Sequence, residues 1–146
     1  MLARDYCTDP VKPIILSHHM LLGMKQGQAK MSKSDPDSAI FMEDSVQDVQ
    51  RKINKAYCPE KIVEENPILD YVKHIIMPAF DDKFEVGEKL YTSYAELEAE
   101  YTSGELHPST LKPACIKAIN QLLQPVRDHF ENDAYAKNLL ETIKRW

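Results

Sequence analysis

Two lysines and two serines near the start of the chain have the chemistry of a phosphate site. They stand in the run Lys30-Met31-Ser32-Lys33-Ser34. Each ammonium offers three donors and no acceptor, and each hydroxyl can donate one more hydrogen bond. Such a cluster suits a phosphate chain that gains negative charge as a bond to it breaks. The alternative is an ordinary lysine- and serine-rich surface loop, which a short pattern alone does not exclude.

Two histidines precede this run and follow a short apolar segment. Residues 13–17 read Pro-Ile-Ile-Leu-Ser, and their length and β-branching predict a buried strand. His18 and His19 come directly after it, where α/β folds place their ligands. We therefore take both histidines as candidates for a position near a nucleotide. The alternative is a structural pair, with one ring buried and hydrogen-bonded and the other exposed.

The composition is that of a globular chain without a membrane segment. The 146 residues are 43% hydrophobic and 28% charged, and no apolar run approaches the roughly 18 residues of a membrane span. The first ten residues lack the apolar stretch of a signal peptide. Cys7, Cys58 and Cys115 are far apart and form no CxxC pair, so we predict neither a metal site nor a disulfide. Reduced thiols in a cytoplasmic protein are the expected state.

The net charge of −5 argues against nucleic-acid binding through the overall field, but it allows a local basic face. From Asp44 onward the pattern is helical, with capping boxes at Ser45 and Ser93, a Pro-initiated helix at Asn66 and a left-handed stop at Gly104. A long helix starts near Pro108. Residues 83–92 are predicted as a short hairpin or extended loop, residues 26–38 as a mobile loop, and residues after 132 as a last helix.

Pro125 lies inside the apolar stripe of the long helix. It lacks an amide donor and crowds the preceding turn, so it is predicted to kink or break the helix at about residues 123–124. Four or five helices after Asp44 provide enough apolar surface for one core. A single strand cannot bury both of its faces, so the first forty residues look like the end of a larger sheet domain.

Together these segments resemble tyrosyl-tRNA synthetases of the archaeal and eukaryotic type, and the lysine–serine run matches the KMSKS signature of class I synthetases. The tryptophanyl enzymes are the nearest relatives of that family. The resemblance covers nearly the whole chain. It rests on the segments 13–21, 30–41 and 53–59, on the HPxxLK pattern at 107–112, and on the LLQPVR run at 122–127.

The resemblance implies a mainly α fold in two parts. Residues 1–42 would be the C-terminal remnant of a nucleotide-binding, Rossmann-type α/β catalytic domain, comprising its last strand and the KMSKS loop. Residues 43–146 would be a helical anticodon-binding domain. The family's HIGH-type motif and its tyrosine-binding positions are absent from these 146 residues. The chain therefore resembles the C-terminal half of such an enzyme.

The family also implies roles for individual residues in ATP binding. Lys30 and Lys33 would act as catalytic residues that hold the ATP phosphates, with Mg²⁺ in the parent enzyme, and Lys33 would lie nearest the departing pyrophosphate. A cation placed there stabilises the transition state more than the ground state. The other expected ATP-binding residues are Met31, Ser32, Ser34, His18 and His19. Gly23 and Gly27 would let the loop open and close.

Anticodon contacts are implied farther along the chain. Phe84 matches an aromatic residue that stacks on the first anticodon base, and core packing is the alternative role for its ring. His107, Pro108 and Thr110 match the motif at the start of the long helix. Many relatives carry Asp at the position of Thr110, and a hydroxyl reads guanine more weakly than a carboxylate. Arg127 would contact either the RNA backbone or an acidic neighbour.

The predicted function is therefore part of a tyrosine–tRNA ligase, whose partners are ATP, tyrosine and tRNA(Tyr). No membrane partner is expected, the location is cytoplasmic, and the parent enzyme would be a homodimer through a surface mostly outside this chain. The fragment alone is expected to be inactive. The alternatives are a free-standing tRNA-binding or protein-interaction module derived from a synthetase, and a fragment of a tryptophanyl-tRNA synthetase.

Overall fold

A computed structural model describes residue 14 and residues 16–32 and 34–143. Its elements follow one another along the chain as a mostly helical body with one small sheet. They are a 3₁₀ turn (Pro36–Ser38), α1 (Val46–Lys55), α2 (Pro67–Tyr71), a π-helical segment (Val72–Ile76), α3 (Met77–Ala79), β1 (Phe84–Val86), β2 (Lys89–Tyr91), α4 (Tyr94–Ser103), α5 (Pro108–Asn132) and α6 (Ala134–Ile143). The predicted mainly helical class is confirmed.

Side-chain caps begin the helices where the sequence predicts them. The Ser45 hydroxyl accepts from the amide of Asp48 at the start of α1, and Ser93 does the same for Glu96 at the start of α4. Asn66 accepts from two amides of α2. Each cap satisfies donors that have no partner inside the helix. Gly104 ends α4 with φ of 92°, the left-handed conformation that favours glycine.

The segment from α2 to α3 is helical throughout but changes its pitch. Between the two α-helical pieces, Val72–Ile76 is a π-helix, and the amide of Met77 donates to the carbonyl of Val72, five residues back. Pro78 follows and has no amide to contribute. The wider turn leaves room before the proline ring, and the helix continues through Pro78 to Ala79.

The predicted hairpin is confirmed. Phe84 pairs with Tyr91 and Val86 with Lys89 in an antiparallel ladder. Gly87 lies in the turn with φ of 64°. Residues on one side of the hairpin, Phe84, Val86 and Tyr91, are buried against the helices. The sheet therefore serves as a cover for the helical core.

Of the kink or break predicted at Pro125, the break is wrong, because α5 runs unbroken from Pro108 to Asn132, while the kink stays a prediction. The guanidinium of Arg127 stabilises this stretch by donating to the main-chain carbonyl of Asn120 (3.4 Å) and to its side-chain oxygen (2.7 Å). Arg127 thereby supplies donors to the turn before the proline. It also donates to the carbonyl of Asp44 at 2.9 Å. The expected salt bridge of Arg127 is replaced by these hydrogen bonds.

One apolar core joins all of these elements. It contains side chains from α1 to α5 and from both strands, including Val49, Val72, Leu97 and Leu111, each fully buried. Met24, from the segment before the helices, is also 1% exposed and belongs to the same core. Ser38 is fully buried as well. The loop region is therefore packed onto the helical body at two points.

The strand predicted at residues 13–17 falls largely outside the described residues. Ile14 and Leu16 are described, and they are 88% and 79% exposed and belong to no strand. A buried strand needs neighbours in a sheet, and the two strands of the described residues pair with each other. Among the described helices, none is long and apolar enough to cross a membrane.

Candidate functional site

The loop that contains the lysine–serine run, residues 26–38, is joined to the helical body through Met24. The amide of Met24 donates to the carbonyl of Ser38 (3.0 Å), and its own carbonyl accepts from the amide of Tyr57 (2.8 Å). Its side chain is buried in the core. Both ends of the loop therefore meet at one residue, directly beside the end of α1.

A serine inside the loop closes it further. The Ser38 hydroxyl accepts from the amide of Ser32 (2.9 Å) and donates to the carbonyl of the same residue (3.0 Å). The hydroxyls of Ser32 and Ser34 lie 2.7 Å apart. The Tyr71 hydroxyl contacts the sulfur of Met31 at 3.7 Å. Met31 thus anchors the middle of the loop to α2, and the two serine hydroxyls lie together at its surface.

Lys30 is exposed, and no carboxylate in the described part of the chain pairs with it. Lys33 lies outside the described residues. Lys25 behaves differently, because its ammonium pairs with Asp35 at 2.5 Å across the base of the loop. The lysine at the loop's base is therefore part of its structure, whereas Lys30 presents its charge to solvent where a polyphosphate could reach it.

The 3₁₀ turn after the loop is joined to α1 by ion pairs. Asp37 pairs with Arg51 (2.5 Å) and with Lys55 (3.7 Å), and Arg51 also reaches Asp48 (3.6 Å). The hydrogen bond from Arg51 lowers the pKa of Asp37. The hydrogen bond from the Ser45 hydroxyl lowers the pKa of Asp48. All of these groups are largely solvated, so their coupling is weakened by salt.

A buried ion pair lies at the start of α1. The ammonium of Lys52 is 2.6 Å from a carboxylate oxygen of Asp44 and 4.5 Å from the ring centre of Phe41, and the Lys52 side chain is 3% exposed. The same carboxylate accepts from the amide of Phe41 at 2.9 Å. Lys52 itself lies in the last turn of α1. Its burial is a tertiary feature, since its partners precede the helix.

The two histidines before the loop have different surroundings. His18 is exposed. The Nε2 of His19 lies 2.8 Å from Oδ1 of Asp70, and its ring stacks on that of His74 with centres 3.9 Å apart. Asp70 also accepts from the amide of Leu22 (2.9 Å). The suggested role near ATP stays a prediction for both. The structural alternative has one ring buried and hydrogen-bonded; His19 is hydrogen-bonded, but its side chain is 45% exposed.

The residues expected at the anticodon lie around the start of α5. His107 caps this helix by accepting from the amide of Ser109 (3.1 Å), and its Nε2 lies 2.7 Å from a carboxylate oxygen of Glu60. Pro108 is buried in the first turn, which leaves its ring little surface for RNA. Both residues therefore have structural roles at the start of α5, and their anticodon contacts stay predictions.

Thr110 and Phe84 line neighbouring cavities on the face that joins α5 to the hairpin. Thr110 is exposed at a cavity of about 440 Å³ that it shares with Gly87. Phe84 lines a cavity of about 180 Å³ beside Lys83. Its ring is only 3% exposed, so stacking would require its neighbours to move. Lys117 borders both cavities and pairs with Glu85.

The lysine of the HPxxLK pattern has a role that spacing did not show. The ammonium of Lys112 donates to the carbonyls of Asn54 and Ala56, each at 2.9 Å. Those carbonyls end α1 and have no helical partner of their own, so a cation there is favourable. Lys112 therefore joins the start of α5 to the end of α1. The contact depends on how the two helices pack against each other, so the sequence pattern could not predict it.

The chain is similar to known proteins along most of its length. A family model described as tRNA synthetases class I (W and Y) matches residues 2–124. Tyrosine–tRNA ligase 1, cytoplasmic, of Arabidopsis thaliana is 57% identical over all of this chain, which covers 40% of that protein. The tyrosine–tRNA ligase of Pyrococcus abyssi is 33% identical over 93% of the chain, which covers 42% of it. The chain thus spans less than half the length of these relatives.

Solved structures agree with the sequence matches. The tyrosyl-tRNA synthetase of Leishmania major in complex with tyrosinol superposes with a TM-score of 0.87 and 44% identity, over 99% of this chain and 30% of that one. The tyrosyl-tRNA synthetase of Aeropyrum pernix gives 0.78 and 41%, over 87% and 38%. The whole of the described fold therefore has counterparts among tyrosyl-tRNA synthetases.

Proposed function

Since this chain belongs to the class I tRNA synthetases of the W and Y family, we propose that it supplies the KMSKS loop and the anticodon-binding part of a tyrosine–tRNA ligase. That enzyme would activate tyrosine with ATP and transfer it to tRNA(Tyr). The observation that carries the proposal is the loop itself: Lys30 is exposed, while Met24 and Ser38 fix the loop's base in the core.

The chemistry of the loop fits a pyrophosphate leaving group. When a carboxylate attacks the α-phosphate, negative charge grows on the departing oxygens. Lys30, with Lys33 beside it in sequence, would neutralise this charge, and the hydroxyls of Ser32 and Ser34 would donate to the same oxygens. The phosphates would bring their own Mg²⁺. Because the described part of the loop is already closed by Ser38, little reorganisation remains for the reaction.

We infer tyrosine as the amino acid from the relatives, all of which are named for it among the matches described above. A tryptophan-specific parent is the weaker alternative within the same family. The cytoplasmic location follows the printed name of the Arabidopsis relative. A homodimeric parent, paired through surface mostly outside this chain, completes the proposal.

The catalytic claim is tested in the full-length enzyme by pyrophosphate exchange. Lys33→Ala and Lys30→Ala should each lower the rate of tyrosine activation about 10²–10³-fold, the usual loss of one preorganised donor, with tyrosine affinity unchanged. Lys137→Ala, a change of an exposed lysine on α6, is the matched control. Unchanged turnover in both loop variants would refute the proposal.

The RNA claim concerns the face between β1–β2 and α5. There, Lys83 and Lys117 provide positive charge, Thr110 provides a hydroxyl at the helix start, and Phe84 forms the wall of the smaller cavity. This combination suits a splayed-out base held beside its phosphates. His107 would orient the helix start rather than read a base, because Glu60 and Ser109 already occupy its ring nitrogens.

Binding of tRNA(Tyr) transcripts to the full-length enzyme tests that face. Thr110→Ala should reduce discrimination at the first anticodon base by about two- to tenfold, the value of one hydrogen bond. Thr102→Ala changes an exposed threonine on α4 and should have no effect. If the wild type binds tyrosine and tryptophan tRNAs equally well, the helices do not read the anticodon and this part of the proposal fails.

A further inference from the structure

A cluster of three side chains lies apart from the loop lysines and from the α5 face. His19 comes from the segment before the loop, Asp70 from α2, and His74 from the π-helical segment. Oδ1 of Asp70 is 2.8 Å from Nε2 of His19 and 3.7 Å from Nε2 of His74. All three potential ligand atoms lie within 4.8 Å of one another. From this geometry we propose that His19, Asp70 and His74 form a binding site for a zinc ion.

The donor set is one that zinc prefers. Two imidazole nitrogens and one carboxylate oxygen are typical protein ligands of this metal, with a fourth position left to water. Ligands 2.0–2.1 Å from a tetrahedral ion lie about 3.3 Å from each other. The observed separations of 2.8 and 3.7 Å bracket that value. Small rotations of the side chains would therefore be enough to seat the ion.

The stacked rings already present the correct atoms. Their planes differ by 18° and their centres are 3.9 Å apart, and both Nε2 atoms face the same carboxylate oxygen. Zinc entry needs the rings to splay about their Cβ–Cγ bonds, and both side chains are partly exposed, at 45% and 32%.

The surroundings support the ligands. The amide of Leu22 holds the second carboxylate oxygen of Asp70 at 2.9 Å, which fixes its orientation as outer-shell donors do in metal sites. The cluster borders a surface cavity of about 230 Å³, roomy enough for a water as the fourth ligand. Two acidic residues, Glu65 and Glu98, border the same cavity. Lys73 and Tyr94 border it as well, with the ammonium of Lys73 5.0 Å from the ring centre of Tyr94.

The expected consequence is a tether between distant parts of the chain. Asp70 and His74 are one turn apart in the π-containing helix, but His19 is 51 residues from Asp70. A metal clip that closes a long loop removes much conformational freedom from the unfolded chain. Zinc would therefore hold the segment before the lysine–serine loop against α2 and stabilise the fold.

Calorimetric titration of zinc into the metal-free chain tests the site. The wild type should bind one ion per chain, and His19→Ala and His74→Ala should each weaken the affinity at least tenfold, since even an outer-shell loss costs 10–100-fold. His18→Ala, a change of the adjacent exposed histidine, should bind as the wild type does. Saturating zinc should raise Tm by about 5 °C in the wild type but not in His74→Ala.

Asp70→Asn provides a second variant in case a histidine change disturbs folding. Its amide oxygen can still accept from Leu22, but its negative charge is gone, so the fold should persist while zinc affinity falls. The absence of saturable binding in the wild type would overturn the proposal, as would affinity unchanged in both His19→Ala and His74→Ala. A thiolate band in the cobalt-substituted spectrum would also overturn it by assigning the metal to cysteine.

Discussion

The loop segment, residues 16–45, and the helical body, residues 46–143, are held in place by different forces. The body buries a continuous apolar core in which Val49, Val72 and Leu111 are fully enclosed. The loop segment contributes one large, fully buried apolar side chain, Met24, and a few partly buried ones, and hydrogen bonds and ion pairs supply its other contacts. Shallow anchoring suits a loop that grips and releases a nucleotide, as we propose for this one, whereas the body that carries it needs rigidity.

Polar contacts at the boundary between the two regions are of two kinds. The pair of Lys52 with Asp44 is buried, and the pair of Arg51 with Asp37 is solvated. Removing one member of a buried pair strands a charge, whereas a solvated pair is replaced by water at little cost. The loss of unfolding free energy on substitution should therefore be largest in the core of the body and smallest at the solvated pairs of the loop.

The largest effect is expected in the core of the body. Leu111→Ala should lower the free energy of unfolding by about 4 kcal/mol, because a fully enclosed leucine leaves a cavity as well as losing its transfer energy. Leu139→Ala, which truncates a leucine on α6 that is 46% exposed, serves as control. Urea denaturation followed by circular dichroism measures both. Equal losses would mean that α5 does not form the core.

A smaller loss is expected at the boundary. Lys52→Met should cost about 3 kcal/mol, the lower end of the range for breaking a buried pair, since the amide of Phe41 still satisfies Asp44. Lys55→Met, whose lysine is 65% exposed, should be close to neutral. The same denaturation experiment compares them. If Lys52→Met were no worse than Lys55→Met, the pair would be solvated after all.

The hydroxyl of Tyr101 makes polar contacts inside the helical body, and its removal should have an intermediate effect. It donates to the carbonyl of Pro59 (2.7 Å), accepts from the side-chain amide of Asn66 (3.3 Å), and lies 3.2 Å from the sulfur of Cys58. Tyr101→Phe keeps the ring and should cost about 1.5 kcal/mol, because buried partners lose their bond. Tyr135→Phe alters a tyrosine that is 79% exposed and should leave the denaturation midpoint unchanged.

The smallest effect is expected for the solvated pairs of the loop. The hydrogen bond from Arg51 lowers the pKa of Asp37 below its usual value of 3.8. A lowered folded-state pKa gives stability that is present above pH 3.8 and is lost as the pH falls through the folded value. Asp37→Asn should therefore lower stability slightly at pH 7 and flatten the acid limb of the stability curve, so that the two proteins become equally stable at low pH.

Salt provides the check on that variant. Adding about 1 M salt shortens the screening length to about 3 Å and should remove the remaining difference between wild type and Asp37→Asn. Asp81→Asn changes an exposed aspartate between α3 and β1 and serves as the matched control. An acid limb identical in all three proteins would show that the pair with Arg51 does not form in solution.

Local sequence signals predicted the helical body well. Capping side chains at Ser45, Asn66 and Ser93, and the glycine stop at position 104, set the helix ends because each acts within four residues of itself. The break at Pro125 was wrong, because a proline removes only one helical hydrogen bond and other contacts hold the helix: Arg127 donates to Asn120 in the preceding turn and to the carbonyl of Asp44, 83 residues away.

The candidate site also has parts that the sequence could predict and parts that depend on tertiary contacts. Residue types and spacing indicated the lysines of the loop, the family resemblance indicated the start of α5, and these assignments stay predictions until they are measured. They could not show that Lys112 caps α1 or that Phe84 is buried. They also could not bring His19 to Asp70 and His74, since no periodicity connects residues about fifty positions apart.

The sequence by itself determined where most helices begin and end and which faces are apolar, and it predicts which short segment carries phosphate chemistry, because those properties depend on neighbours along the chain. The tertiary structure decided which charges are buried, which lysine stays exposed, and which histidine meets a carboxylate. Those outcomes depend on how the helices pack against the loop, and each combines residues that the chain itself keeps far apart.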